Sequence, residues 1–190
     1  MKISLGPRPM LFPTPVVLVG SYKKDGAANL MCAAWAGVVC SKPPCIAVSL
    51  RPMTHSHGCI KEHMAFTASI PSLAQLAEAD YMGMASGRDQ DKLARVGWTT
   101  VASELVDAPY PAETPISIEC KVVAVNELGL HTQFVGQVMD VKVRPDFQGP
   151  DGEPDPEKIK SPLFLPGHKA YHAMGEFAGP AFSLGKKFMS

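Results

Sequence analysis

The chain has 190 residues, enough for one domain with a sizeable core, and an apolar content of 46% excludes a disordered polymer. Lysine plus arginine equals aspartate plus glutamate, 18 of each, so no net field draws the chain to nucleic acid or to an anionic membrane. Pro7, Pro9, Pro13 and Pro15 interrupt the start of the chain, so no signal-peptide core forms there. No apolar run approaches the ~18–20 residues that a bilayer demands, and a cytoplasmic location is expected.

In chain order, Pro15 to Tyr22 (PVVLVGSY) is β-branched and almost wholly apolar, the pattern of a strand buried on both faces. Lys23-Lys24-Asp25-Gly26 predicts a hairpin turn, with the return strand over about Ala28 to Trp35. Pro43-Pro44 fixes the entry to a third strand, Cys45 to Leu50. Thr54 is placed to start a short helix running to His63, and a fourth strand covers Ala65 to Ile70.

Ser72 and Gln75 have capping-box spacing, and Leu73, Leu76, Ala77, Asp80, Tyr81 and Met84 share one side of the helix that follows. Asp80 is the misfit on that stripe and is expected at its rim. Ser86 to Gly97 reads as a loop and a short helix ending at the glycine. Two long strands follow. Ile116, Ile118, Cys120 and Val122 alternate with polar residues, as do Met139, Val141 and Val143; Leu128-Gly129 turns the chain between them, and Gly136 suggests a bulge. Residues 146–160 are acidic and rich in proline and glycine, a surface excursion. About six antiparallel strands with a few helices imply a mainly β, closed Greek-key barrel in a single domain over residues 1–190, with its core at about 13–144 and a carboxy-terminal extension over 145–190.

There is no G-x-G-x-x-G, P-loop, nucleophile elbow or H-E-x-x-H, so nicotinamide, if used, is not held by a Rossmann unit. The five cysteines form no C-x-x-C pair and read as reduced, buried thiols; Cys40 with Cys45 is the nearest pair for a disulfide. His55, His57 and His63, or His168 with His172, offer two ligands each to a metal, but nothing completes either set at familiar spacing, and no metal site is expected. No catalytic side chain stands out.

Two segments suit an anion. Ala85-Ser86-Gly87-Arg88-Asp89-Gln90-Asp91-Lys92 sets a hydroxyl, a glycine and two cations before a helix; a solvated turn explains it equally well on spacing alone. Ser49-Leu50-Arg51-Pro52-Met53-Thr54 leaves a strand and reaches a helix start. Trp35, on a strand that begins near Asn29, is either a core residue or the flank of a flat apolar head group.

Together, PVVLVGSYKKDGAANLMCAAW, PPCIAVSLRPMTHSHGCIKE, SGRDQDKLARVG and ECKVVAVNELGLHTQFVGQV resemble the flavoredoxin branch of the flavin-reductase-like FMN proteins. The resemblance implies an FMN-binding split β-barrel that forms a homodimer. It implies that Asn29, Met31, Cys32, Ala33, Ala34 and Trp35 line the isoalloxazine, and that backbone amides there and at Ser49 and Leu50 bond its pyrimidine edge. Arg51, Thr54 and Ser56 would approach the ribityl chain or phosphate, with Ser86, Gly87, Arg88 and Lys92 around the phosphate. His131 and Phe164 would be further wall residues, Phe164 supplied by the partner subunit. Met31, and Ser69 where the family pattern has asparagine, depart from that pattern close to the expected flavin. The function implied is an electron carrier fed by a ferredoxin-like or cytochrome donor, the alternative being a flavin reductase that consumes NAD(P)H.

Overall fold

The computed structural model describes residues 1–189. Its main element is an antiparallel sheet of seven strands: β2 (Val17–Tyr22), β3 (Ala28–Ala33), β4 (Ala36–Ser41), β5 (Pro44–Leu50), β6 (Ala65–Ile70), β9 (Ile116–Leu128) and β10 (His131–Val143). They lie side by side in the order β3-β2-β6-β9-β10-β5-β4. The two edge strands, β3 and β4, are consecutive in sequence and joined only by Ala34 and Trp35. A flat sheet cannot bring its outer edges within two residues of each other, so the sheet curls into a barrel with a seam at Trp35. The Ser49 amide donates to the Trp35 carbonyl at 2.8 Å and ties that seam to β5.

The expectation of about six strands is corrected to seven. The strand overlooked is β4, whose AGVVCS is apolar by composition yet exposed over most of its length. It lies at the sheet edge, where side-chain patterning carries little burial signal.

Inside the barrel, Val17, Val19, Val48, Leu50, Ile60, Phe66, Cys120, Val122 and Phe134 form the core. A second layer of Val16, Leu18, Leu30, Ala79 and Met82 packs outside β2 and β3. The continuous apolar run of β2 therefore serves two cores, odd residues inward and even residues outward.

Helix α1 (His55–His63) follows β5. Thr54 sits at its N-cap position but makes no side-chain cap; its Oγ1 donates to the Arg51 carbonyl at 2.9 Å. The Ser72–Gln75 capping box is present, on a 3-10 turn over Leu73–Gln75 that leads into α2 (Leu76–Met84). Helix α2 lies close against β3: a Cβ at Gly83 would meet the Cys32 Cβ at 3.2 Å, so the face that carries Ala79 and Gly83 turns to the sheet. Its buried residues are Ala79 and Met82, and Met84 is 78% exposed, a correction to the expected stripe. Helix α3 (Lys92–Val96) ends at Gly97 with a left-handed φ of 70°.

Short strands complete the chain. β7 (Thr100–Ala102) pairs with β8 (Pro109–Pro111); β1 (Thr14–Pro15), β11 (Leu163–Leu165) and β12 (Ala170–His172) make a three-stranded sheet. Within the 146–160 excursion lies α4 (Pro156–Ile159). The carboxy-terminal extension thus returns to the start of the chain, Phe164 pairing with Thr14. Among the described residues, no helix is long and apolar enough to cross a membrane.

The β9–β10 ladder shifts register between Val135 and Gly136, the expected bulge. A Cβ at Gly136 would lie 2.7 Å from the Phe66 ring and 2.8 Å from the Cys120 Cβ, both in the packed core. Gly136→Ala is expected to destabilise the barrel by about 1–3 kcal/mol through overpacking. A fall in the urea midpoint at unchanged m-value is the check.

Candidate active site

A cleft of about 460 Å³ runs between the Ser86–Asp89 loop and the β5–α1 turn, lined by Asn29, Met31, Arg51, Thr54, His55, Ser56, Ser86, Gly87, Arg88 and Lys92. Past Met31, Arg51 and Thr54 it opens into a hollow of about 250 Å³ bounded by Ala33, Ala34, Trp35, Ser49, Leu50, His131 and Phe164. One end is polar, with Arg51, Arg88 and Lys92 set against one carboxylate, Asp89; the other is apolar and aromatic. A further cleft of about 530 Å³ lies across Trp35, beneath β11 and β12, and adds Cys32, Asp80, Gly83, Met84 and Tyr171.

The cationic end is built by close packing. Gly87 is buried against Asn29; a Cβ there would lie 2.1 Å from the Asn29 Oδ1 and 3.4 Å from the His55 ring. Only glycine lets the loop approach so closely. Asn29, 3% exposed, is itself oriented by donating to Ser56 Oγ at 2.7 Å and Ser21 Oγ at 3.3 Å. Ser86 Oγ accepts from the Arg88 amide at 3.2 Å, which holds the loop in shape.

Lys92 differs from expectation. It is only 5% exposed, and its ammonium donates to the Met82 carbonyl at 2.9 Å and the Ala85 carbonyl at 3.0 Å. It therefore braces the end of α2 beneath the loop, with one of its three N–H groups left for the cleft. Burial pulls its pKa down to about 8.

The sequence offers His55 only as a possible metal ligand; the structure brings it into the cleft. Burial, then the charges of Arg88 and Lys23, push its pKa down, and its Nε2 is buried without a hydrogen-bond partner. The signal available was its position directly after Thr54, at the first residue of α1. His57 instead bonds Thr132 Oγ1 at 2.9 Å, and His63 bonds Asp107 at 2.7 Å. Among the described residues, no group of three or more His, Cys, Asp or Glu could hold a metal ion.

At the aromatic end, strand alternation divides the residues that the sequence had grouped. Met31 and Ala33 pack toward the barrel side, whereas Cys32 packs with the outer layer and faces the further cleft. Burial, then Asp80, pushes the Cys32 thiol up to about 12. The Ser49 amide, expected to be free for a ligand, is committed to Trp35. Ser69 is fully buried and bonds Ser117 at 2.8 Å, away from the cleft. Phe164 lines the hollow of its own chain, carried there by the pairing of β11 with β1. Its ring lies 5.4 Å from that of Tyr171, whose hydroxyl donates to Asp80 at 2.7 Å and pins β12 to α2. The misfit on the helix stripe is thus a tether.

Between about pH 8 and 10.5 the unfolded chain keeps a proton that folded Lys92 has lost, so this group's contribution to stability rises with pH through that window. Lys92→Met removes the titration. The variant's urea midpoint, relative to the parent's, is expected to be less favourable at pH 10 than at pH 8.

The flavin reductase like domain model matches residues 10–165. Flavoredoxin of Desulfovibrio vulgaris (Miyazaki F) is 50% identical and superposes with a TM-score of 0.92, over 97% of this chain and 100% of that one. Flavoredoxin from Methanosarcina acetivorans is 29% identical with a TM-score of 0.93, over the whole of both chains. An uncharacterized protein of Pyrococcus abyssi is 34% identical over 147 residues, 77% of this chain and 83% of its own. The chain belongs to the flavin reductase like family and is a flavoredoxin-like member of it.

Proposed function

We propose that this chain is a flavoprotein that binds FMN and passes electrons between redox partners. The observation that carries this reading is the two-ended cleft, in which a cationic, glycine-floored loop is joined to an apolar hollow beside Trp35. The orphaned His55 Nε2 fits the same picture, because a phosphate would supply the partner that the protein does not. The likeness to the Desulfovibrio flavoredoxin supports it.

The residues divide the work as follows. Arg88 and the loop amides near Gly87 hold the phosphate, with His55 and the remaining Lys92 N–H beside it. Arg51, Thr54 and Ser56 follow the ribityl chain. Met31, Ala33, Ala34, Trp35, Leu50, His131 and Phe164 enclose the ring system, with Cys32 behind it, and exclude water from one side. FMN, when bound, supplies the electron-accepting and electron-donating chemistry. The protein's share is to bind, orient and shield; no side chain is asked to act as a strong acid or base.

The electron donor is a ferredoxin-like or cytochrome protein, and the working form is a homodimer. Apolar side chains of the terminal segments, among them Leu11, Phe177, Phe182 and Phe188, are 78–99% exposed in the single chain and offer surface for a second copy. The free cysteines suit the reducing cytoplasm.

A second reading, an NAD(P)H-dependent flavin reductase, is favoured by the family model itself, which spans most of the chain. Stopped-flow mixing with NADH separates the two. Fast bleaching with release of FMN on gel filtration is the reductase outcome, and retained FMN with slow bleaching is the carrier outcome.

For the binding itself, Arg88→Ala is expected to raise the Kd for FMN about ten-fold or more and to leave riboflavin, which lacks the phosphate, nearly unchanged. Fluorescence quenching on titration is the measurement. Equal losses for both ligands would place the phosphate elsewhere, and no binding of either would remove the proposal.

A further inference from the structure

Cys40 on β4 and Cys45 on β5 stand directly opposite each other in the antiparallel ladder. The body of that ladder sets Val38 against Ile46 and would set Val39 against Cys45. A bulge at Val39 advances the strand by one residue and puts Cys40 in that place. Residues directly opposed in an antiparallel pair have Cα atoms about 4.5 or 5.5 Å apart and side chains on one face of the sheet. Both spacings fall inside the ~4.4–6.8 Å range that a disulfide accepts.

The two thiols differ in access. Cys40 is exposed, whereas Cys45 is 6% exposed. The other three are poor competitors: burial pushes the Cys32 and Cys120 thiols up to about 12, and raises that of Cys59. The position of the pair is also informative. β4 begins one residue after Trp35, so a bond at Cys40 would fasten the strand that leaves the aromatic end of the cleft.

The geometry points to a thiol–disulfide exchange site on this chain, in which Cys40 and Cys45 form a reversible disulfide at the expense of a low-molecular-weight disulfide. The Cys40 thiolate attacks one sulfur of the reagent and expels one thiolate, leaving a mixed disulfide on Cys40. Cys45 then gives up its proton, and its sulfur attacks the Cys40 sulfur and expels the second thiolate. Two protein thiols are oxidised, the reagent is reduced to two thiols, and no other oxidant is needed. Cys45 can be buried because it has to reach only its neighbour's sulfur, never the reagent. This site does not depend on the flavin reading, and its readout is the same with or without FMN.

The purified full-length chain, reduced and desalted, is incubated with oxidised glutathione. Free thiols are then counted after denaturation. The expected result is a fall from five thiols to three, with an intact mass lower by about 2 Da and no glutathione retained. Cys45→Ser is expected to stop with one glutathione on Cys40, and Cys40→Ser to keep all its thiols. A parent chain that keeps five thiols, or that stops at the mixed disulfide, overturns the proposal. So does a Cys40→Ser variant that still loses two thiols.

Discussion

The two-residue joint between β3 and β4 is the constraint on which the rest of the structure depends. Because Ala34 and Trp35 connect opposite edges of one sheet, the sheet closes there or nowhere. The hydrogen bond from Ser49 to Trp35 then gives the seam a fixed address. A ladder of strands has no hollow of its own; the hollow arises where closure is made by chain rather than by continuous pairing. The ligand-sized space beside Trp35 is that imperfection, and every residue assigned to the apolar end borders it.

The cationic end follows different physics. Its formal charges are few, Asp89 lines the cleft itself and Asp25 lies beside His55 and Arg88 in space, so bulk attraction of anions is modest. What distinguishes it is preorganisation. Gly87 is pressed onto Asn29, Asn29 is held by Ser21 and Ser56, and Lys92 spends two of its donors on carbonyls of α2 and the turn after it. The loop is stiffened from below before any ligand arrives, which lowers the entropy lost on binding. The cost is a buried ammonium, visible in the depressed pKa of Lys92.

Much of this was legible in the residues. The doubly apolar β2, the capping box at Ser72, the bulge at Gly136 and the glycine-bearing loop before α3 all carry local signals that tertiary packing did not overrule. What could not be read was whatever depends on two distant segments meeting. The alternation that turns Cys32 away from Met31 and Ala33 follows from strand geometry, but only once the strand's inward face is known. The occupation of the Ser49 amide by Trp35 requires barrel closure. The phase of α2 is set by the close fit of Ala79 and Gly83 against β3, again a meeting of distant segments. The role of Asp80 needed Tyr171, 91 positions along the chain, to come into view.

The pairing of β11 with β1 joins residues 150 positions apart, Thr14 and Phe164. During synthesis, then, the barrel strands and the Gly87 loop all leave the ribosome before Phe164 and Tyr171 do. A nascent chain can complete the cationic end well before the aromatic wall exists. The side of the cleft that Phe164 and Tyr171 close is therefore the last to be made, whatever order the rest of the barrel takes.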